Sequence, residues 1–159
     1  MAFSLTKTRK DIEDLVKQVF NGVDVYRQAV ADDTILQHLS DGSVKPYVTY
    51  EVAHIQQEGH TSFAGPMNDD YVIPLRIKIV VAANEKEWGI PLGEKLYDTG
   101  ILGILGHTFE WSGSIRARTY GLVNYPIKKS DGTPAAMVFP LNFAVPCVQL
   151  QEWDESSSS

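Results

Sequence analysis

Ile73-Pro74-Leu75-Arg76-Ile77-Lys78-Ile79-Val80-Val81 is the stretch on which the fold turns. Ile73, Leu75, Ile77, Ile79 and Val81 recur at every second position, with Arg76 and Lys78 between them. A strand sends successive side chains to opposite faces, so this spacing buries one face and leaves the other partly wet. A helix would scatter the same apolar side chains around its circumference.

Upstream, Pro46 opens a second run, Tyr47-Val48-Thr49-Tyr50-Glu51-Val52-Ala53-His54-Ile55, dense in aromatic and β-branched residues and read as a strand. Residues 56–70 are polar and contain glycine, which predicts a long loop joining the two strands. Further back the period changes from 2 to 3.6. Ile12, Leu15, Val16, Val19 and Phe20 stack on one face of a helix over residues 7–20, with Thr6 or Thr8 as cap and Asn21-Gly22 as stop. Between them, Val23, Val25 and Ala29 suit either a helix extension or a short strand. Asp33 with Ile35, Leu36 and Leu39 predicts a short capped helix.

Downstream, residues 84–90 form a polar connection and Pro91 suits the first turn of a helix. Leu92, Leu96, Ile101, Leu102 and Leu105 continue it, against Gly93, Gly100, Gly103 and Gly106. Each interior glycine costs a helix about 1 kcal/mol relative to alanine, so a break near Gly100 is expected. The last third predicts a long hairpin. One arm is 109–123, with Trp111, Ile115 and Ala117 on one face and Arg116, Arg118 and Tyr120 on the other. The turn is Lys128-Lys129-Ser130-Asp131-Gly132-Thr133-Pro134, and Met137, Phe139, Leu141, Phe143 and Val145 alternate on the return arm. Pro140 lacks a ladder donor, which points to a sheet edge or a bulge.

The expected class is α+β, a mostly antiparallel sheet of about four main strands with helices packed on one face, in the order α-β-β-α-β-β. Residues 1–150 form a single domain, and 151–159, ending in Asp154, Glu155 and serines, a flexible acidic tail. The 159 residues are 43% hydrophobic and 21% charged, an ordinary globular composition. Lys and Arg total 14 against 20 Asp and Glu, a net charge of -6 that disfavours a free-standing nucleic-acid binder. The single cysteine, Cys147, rules out an internal disulfide, and no apolar run approaches the roughly 18 residues of a membrane span. The charged start, through Lys7, predicts a chain made and kept in the cytoplasm.

Candidates for chemistry each carry a plainer account. Gly100 to Gly106 lacks the order of a phosphate loop, and its glycines suit close helix–sheet packing. His54 and His60 with Glu51 and Glu58 are the candidate metal group, yet Glu51 and His54 sit an odd number of positions apart on a strand and face opposite ways. Cys147 has His107 as its nearest histidine in sequence, with no spacing that ties the two into a nucleophile–base pair, and suits a small buried hydrophobe. Arg116 and Arg118, with Lys128 and Lys129, form a basic stripe for DNA or an acidic neighbour, or a solvated outer face. Trp88, Trp111 and Tyr97 suit either a pocket lining or plain core. These residues assign no catalytic, cofactor-binding or metal-binding position, and predict a non-enzymatic chain.

The order of elements resembles the tail terminator (tail completion) proteins of long-tailed bacteriophages. The resemblance spans most of residues 4–150. It rests on the N-terminal helix ending Val19-Phe20-Asn21-Gly22, the entry Lys45-Pro46-Tyr47-Val48-Thr49-Tyr50, the strand Arg76-Ile77-Lys78-Ile79-Val80-Val81, the central helix and the terminal pair of strands. It implies a structural virion protein of the tail and neck, made in the host cytoplasm. It further implies a homo-hexameric ring that caps the tail tube, contacts the tail-tube protein and the head–tail connector or stopper protein, and lets genomic DNA pass without sequence-specific binding. No cofactor, metal or membrane is implied. The 56–70 loop and the 124–136 hairpin tip are the expected contacts between neighbours. The competing expectations are another phage neck or tail-tube subunit, and a small α+β ligand-binding domain or enzyme.

Overall fold

The computed structural model describes residues 4–27, 46–59, 69–83, 89–118 and 124–148. Helix α1 runs Leu5–Val19 and helix α2 runs Ile90–Ile104. The strands are β1 (Asp24–Arg27), β2 (Tyr47–Val52), β3 (Gln56–Gly59), β4 (Asp69–Ala82), β5 (Arg116–Ala117), β6 (Tyr125–Lys128) and β7 (Pro134–Pro146). The fold is α+β, with a mixed sheet of seven strands among the described residues. The path is β1-β2-β4-β7-β5, with β3 added to β4 and β6 added to β7. β1 pairs with β2 in parallel, and the remaining pairs are antiparallel.

Two long strands form the spine. β4 and β7 pair from Val72↔Pro146 to Ala82↔Ala136. Ile73, Leu75, Ile77, Ile79 and Val81 of β4 lie on the same face as Met137, Phe139, Leu141, Phe143 and Val145 of β7, and all are buried. That face receives both helices. Ile12, Leu15, Val16 and Phe20 of α1 join it, as do Val48 and Tyr50 of β2 and Ile104 of α2. Tyr47, Val80, Ile127, Ala136 and Val138 make a smaller apolar cluster on the reverse face, with Tyr125 beside it. That face also holds Thr49, Val72, Pro74 and Ala144, all buried, beside the charged Glu51, Arg76 and Lys78.

The helices differ from expectation in their details. Ser4 caps α1, its hydroxyl accepting from the Lys7 N–H at 3.3 Å, two residues before the expected Thr6 and four before Thr8. Thr8 is instead buried within the helix and donates to the Leu5 carbonyl at 2.8 Å. α2 continues through Gly100 without a break. A Cβ on Gly93 would enter the Phe139 ring, one on Gly100 would lie 2.6 Å from Leu141 Cδ2, and one on Gly103 would lie 2.7 Å from Val19. Close packing on β7 and α1 offsets the low helix propensity of these positions.

The strand pattern differs more. The stretch expected as one strand over 47–55 ends as strand at Val52, with residues 53–55 outside it, and the expected 56–70 loop begins and ends as strand, β3 and the first residues of β4. The expected arm over 109–123 does not form. Residues 109–115 are turns, with the Phe109 N–H on Ser112 Oγ at 2.7 Å and the Ile115 N–H on the His107 carbonyl at 3.0 Å. Strand is confined there to Arg116–Ala117, and Ala117 is exposed while Trp111 and Ile115 are buried. β7 takes its hairpin partner from β6 through a turn in which Gly132, at φ 87°, donates to the Lys129 carbonyl. The helix expected at 33–39 and the acidic tail fall outside the described residues.

Pro140 sits inside the sheet rather than at its edge. Asn142 and Pro146 aim their carbonyls toward β5, accepting from Arg118 and Gly113 N–H groups at 2.8 and 3.1 Å. Pro140 faces the same side, at the interval between the residues paired to β6 and those paired to β5, where no ladder donor is required. Pro74 repeats this on the other flank. Its carbonyl accepts from the Ala53 N–H at 2.9 Å, at the interval between β2 and β3.

Candidate functional site

The described pairing of β1 with β2 ends at Arg27↔Tyr50, and among the described residues no strand covers the outer backbone of Val52 and Ala53. Exposed sheet carbonyls need a partner. Arg9, on α1, supplies it. Its Nη1 donates to the Val52 carbonyl at 2.8 Å and its Nη2 to that of Ala53 at 3.4 Å. One helical turn on, Glu13 accepts from Arg27 Nε at 3.3 Å, and across the sheet Arg76 pairs with Glu51 at 3.6 Å. Arg9, Glu13, Arg27, Tyr50, Glu51, His54, Gln56 and Arg76 thus surround a cleft of about 520 Å³.

Chemically the cleft holds three guanidinium groups, each tied to a carboxylate or to backbone carbonyls. Guanidinium forks of this kind suit planar anions. Here they tie α1 to the end of β2. Tyr50 lies against the cleft with its hydroxyl held above the ordinary phenol range, mainly by burial and then by the Glu13 carboxylate. Such a group is a hydrogen-bond donor at neutral pH, not a base.

The structure sorts the residues singled out from sequence. Glu51 and His54 both line the cleft, Glu51 from β2 and His54 from the non-strand residues 53–55 that follow it. His60 lies outside the described residues, as does Trp88. Among the described residues no group of three or more His, Cys, Asp or Glu could hold a metal ion. The glycines of α2 serve packing. The Cys147 thiol is fully buried, donates weakly to the Val145 carbonyl at 3.8 Å, and is pushed up to about 12 by burial. His107 is exposed and packs edge-on against Phe109 at 4.8 Å. Trp111 is core, stacked on Phe109 at 4.9 Å, and Tyr97 packs half-buried against the same core.

Arg116 and Arg118 take part in a larger arrangement. In register, Arg116 stands across from Ala144 and Pro74, while Arg118 hydrogen bonds to Asn142 across from Arg76. Lys78 is two residues along β4 from Arg76 on the same face. Arg76, Lys78, Arg116 and Arg118 therefore share the face of the sheet opposite the helices, with Glu51 at its margin. Lys128 and Lys129 are exposed at the β6–β7 turn. Arg9, Glu13 and Arg27 escaped the sequence reading, although Arg9 and Glu13 are one turn apart on the polar side of α1.

No family model matches the chain, and no curated protein does. Fifteen chains of solved structures match. One of them is similar over 91% of this chain and 96% of its own, at 15% identity and a TM-score of 0.48. At that level the likeness adds nothing on function.

Proposed function

We propose that the chain is a structural virion protein, a phage tail terminator that forms a homo-hexameric ring on the end of the tail tube. In this reading it joins the tail tube to the head connector, and genomic DNA passes through its lumen without sequence-specific binding. The observation that supports it best is the outer side of α2. Leu102 is 84% exposed and Leu105, the C-cap residue, 46% exposed, whereas the side of the same helix that meets the sheet buries Gly93, Gly100 and Ile104. Two large apolar side chains side by side at one end of a helix offer apolar surface that a subunit contact would bury. The cleft at Arg9 fits the same reading, because its charges brace the fold.

Negative-stain electron microscopy of the purified chain, across concentration and with or without Mg²⁺, tests this. Single rings that never lengthen are expected. Tubes that grow without limit would instead make it a tail-tube or other neck subunit. The cleft of about 520 Å³ favours a small-anion-binding domain as the reading from another class. A stoichiometric small anion in the purified protein, together with a chain that stays monomeric, would overturn the ring in its favour.

A further inference from the structure

The sequence left the basic stripe without an occupant, and the fold supplies a surface to match it. Helix α2 lies on β4 and β7 with Gly93 against Phe139 and Gly100 against Leu141. Its opposite side carries Glu94, Asp98, Leu102 and Leu105, which fall at i, i+4, i+8 and i+11 and share one stripe. All four are exposed. Glu94 and Asp98 are like charges one turn apart, an arrangement that weakens an isolated helix. The last turn of α2 also has no basic residue of its own to offset the negative end of the helix dipole. The stripe is therefore acidic at one end, apolar at the other, and finished by the negative end of a helix dipole.

The cationic face carries Arg76, Lys78, Arg116 and Arg118 on the reverse side of the same two strands and their neighbour. The Arg76 side chain is 52% exposed, and Arg116 and Arg118 are exposed. Long aliphatic stems beneath such head groups, with the half-buried Pro140 among them, present apolar surface to a leucine. The helix stripe and the cationic face point away from each other across the sheet, so they cannot meet within one chain. They can meet between two.

We infer that the acidic and apolar stripe of α2 in one subunit docks on the Arg76–Lys78–Arg116–Arg118 face of the next. This rests on the ring reading and names its contact. The surfaces are unlike, so the contact is head-to-tail, which closes into a ring where the rotation permits and otherwise runs on as a filament. A second copy fits better than nucleic acid, because a chain of net charge -6 is repelled from a polyanion while its own acidic helix is complementary.

Charge exchange tests it, read by sedimentation velocity and electron microscopy. Glu94→Lys/Asp98→Lys and, separately, Lys78→Glu/Arg116→Glu should each raise the concentration needed for assembly by about tenfold or more. Combining all four changes in one chain should restore assembly. Leu102→Ser, at a side chain with no role in the core, should weaken assembly while leaving thermal unfolding unchanged. Rings that persist in all these variants overturn the contact and leave the ring reading standing. A wild-type chain that never self-associates overturns both. Loss of DNA retention by Lys78→Glu/Arg116→Glu, with assembly intact, assigns the face to nucleic acid and overturns the inference.

Discussion

Trp111 Nε1 donates to Asp11 Oδ2 at 2.9 Å, which joins the turn after α2 to the outer side of α1 across 100 residues of sequence. The bond sits beside the Phe109–Trp111 stack and is partly shielded from water. A hydrogen bond to a charged acceptor contributes about 1.5–3 kcal/mol. Asp11→Ala should therefore cost about 1–2 kcal/mol in urea unfolding, the lower range reflecting partial exposure. Asp14→Ala, at an exposed position of the same helix, should cost a few tenths at most. Equal losses for the two would show that the indole bond contributes nothing.

Arg9 should matter more to stability than Arg27. Arg9→Ala strips the Val52 and Ala53 carbonyls of their donor, a loss of about 1–3 kcal/mol. The Arg27 side chain is 69% exposed and, among the described residues, pairs with the Glu13 carboxylate, so Arg27→Ala should cost under about 1 kcal/mol. Denaturant midpoints at constant slope are the measurement, and the reverse order would remove the bracing role given to the cleft.

Gly93→Ala should destabilise despite the better helix propensity of alanine. The gain is about 1 kcal/mol. The added methyl meets the Phe139 ring, and overpacking of a tight contact costs about 1–3 kcal/mol or more. A lower melting temperature is the expected outcome, and a higher one would mean that α2 rides further from β7 than described.

The Cys147 thiol should resist reagents in the native state and react once the chain unfolds. Burial raises its pKa from 9.0 to about 12, so the folded state favours the protonated form. The stability this contributes is complete below pH 9 and is lost as pH rises toward 12. Cys147→Ala should flatten part of the decline in stability over that window, with Tyr47, also held above its ordinary range by burial, accounting for decline at higher pH. Rapid labelling of native protein at pH 8 would contradict the buried placement.

The long strands were legible because β4 and β7 state their period in side chains. Five apolar residues on one face of each leave no other reading. β3 was not, since Gln56, Gln57 and Glu58 carry no apolar alternation, and a flanking strand needs little beyond its backbone groups. Phe109, Trp111 and Ile115 gave a false strand signal, because spacing by two also arises around a turn where rings stack on one another. The cleft was the least legible of all. Its arginines come from α1, β1 and β4, and the carbonyls that Arg9 serves lie 43 and 44 residues away in sequence, at the end of β2. The cationic face was half visible: Arg116 and Arg118 were recognised as a pair, but the register that sets them across from Arg76 belongs to the sheet.

The placement of Pro74 and Pro140 has a mechanical side. Each interrupts the attachment of neighbours along one flank of the β4–β7 spine, so the flanking strands are fastened in separate short lengths rather than as continuous planks. The ladder bonds of β3 and of β2 thus lie on opposite sides of Pro74, with the Ala53 N–H on the Pro74 carbonyl as the bridge between them, and those of β5 and of β6 lie on opposite sides of Pro140. Four short strands are seated on one keel by separate sets of bonds.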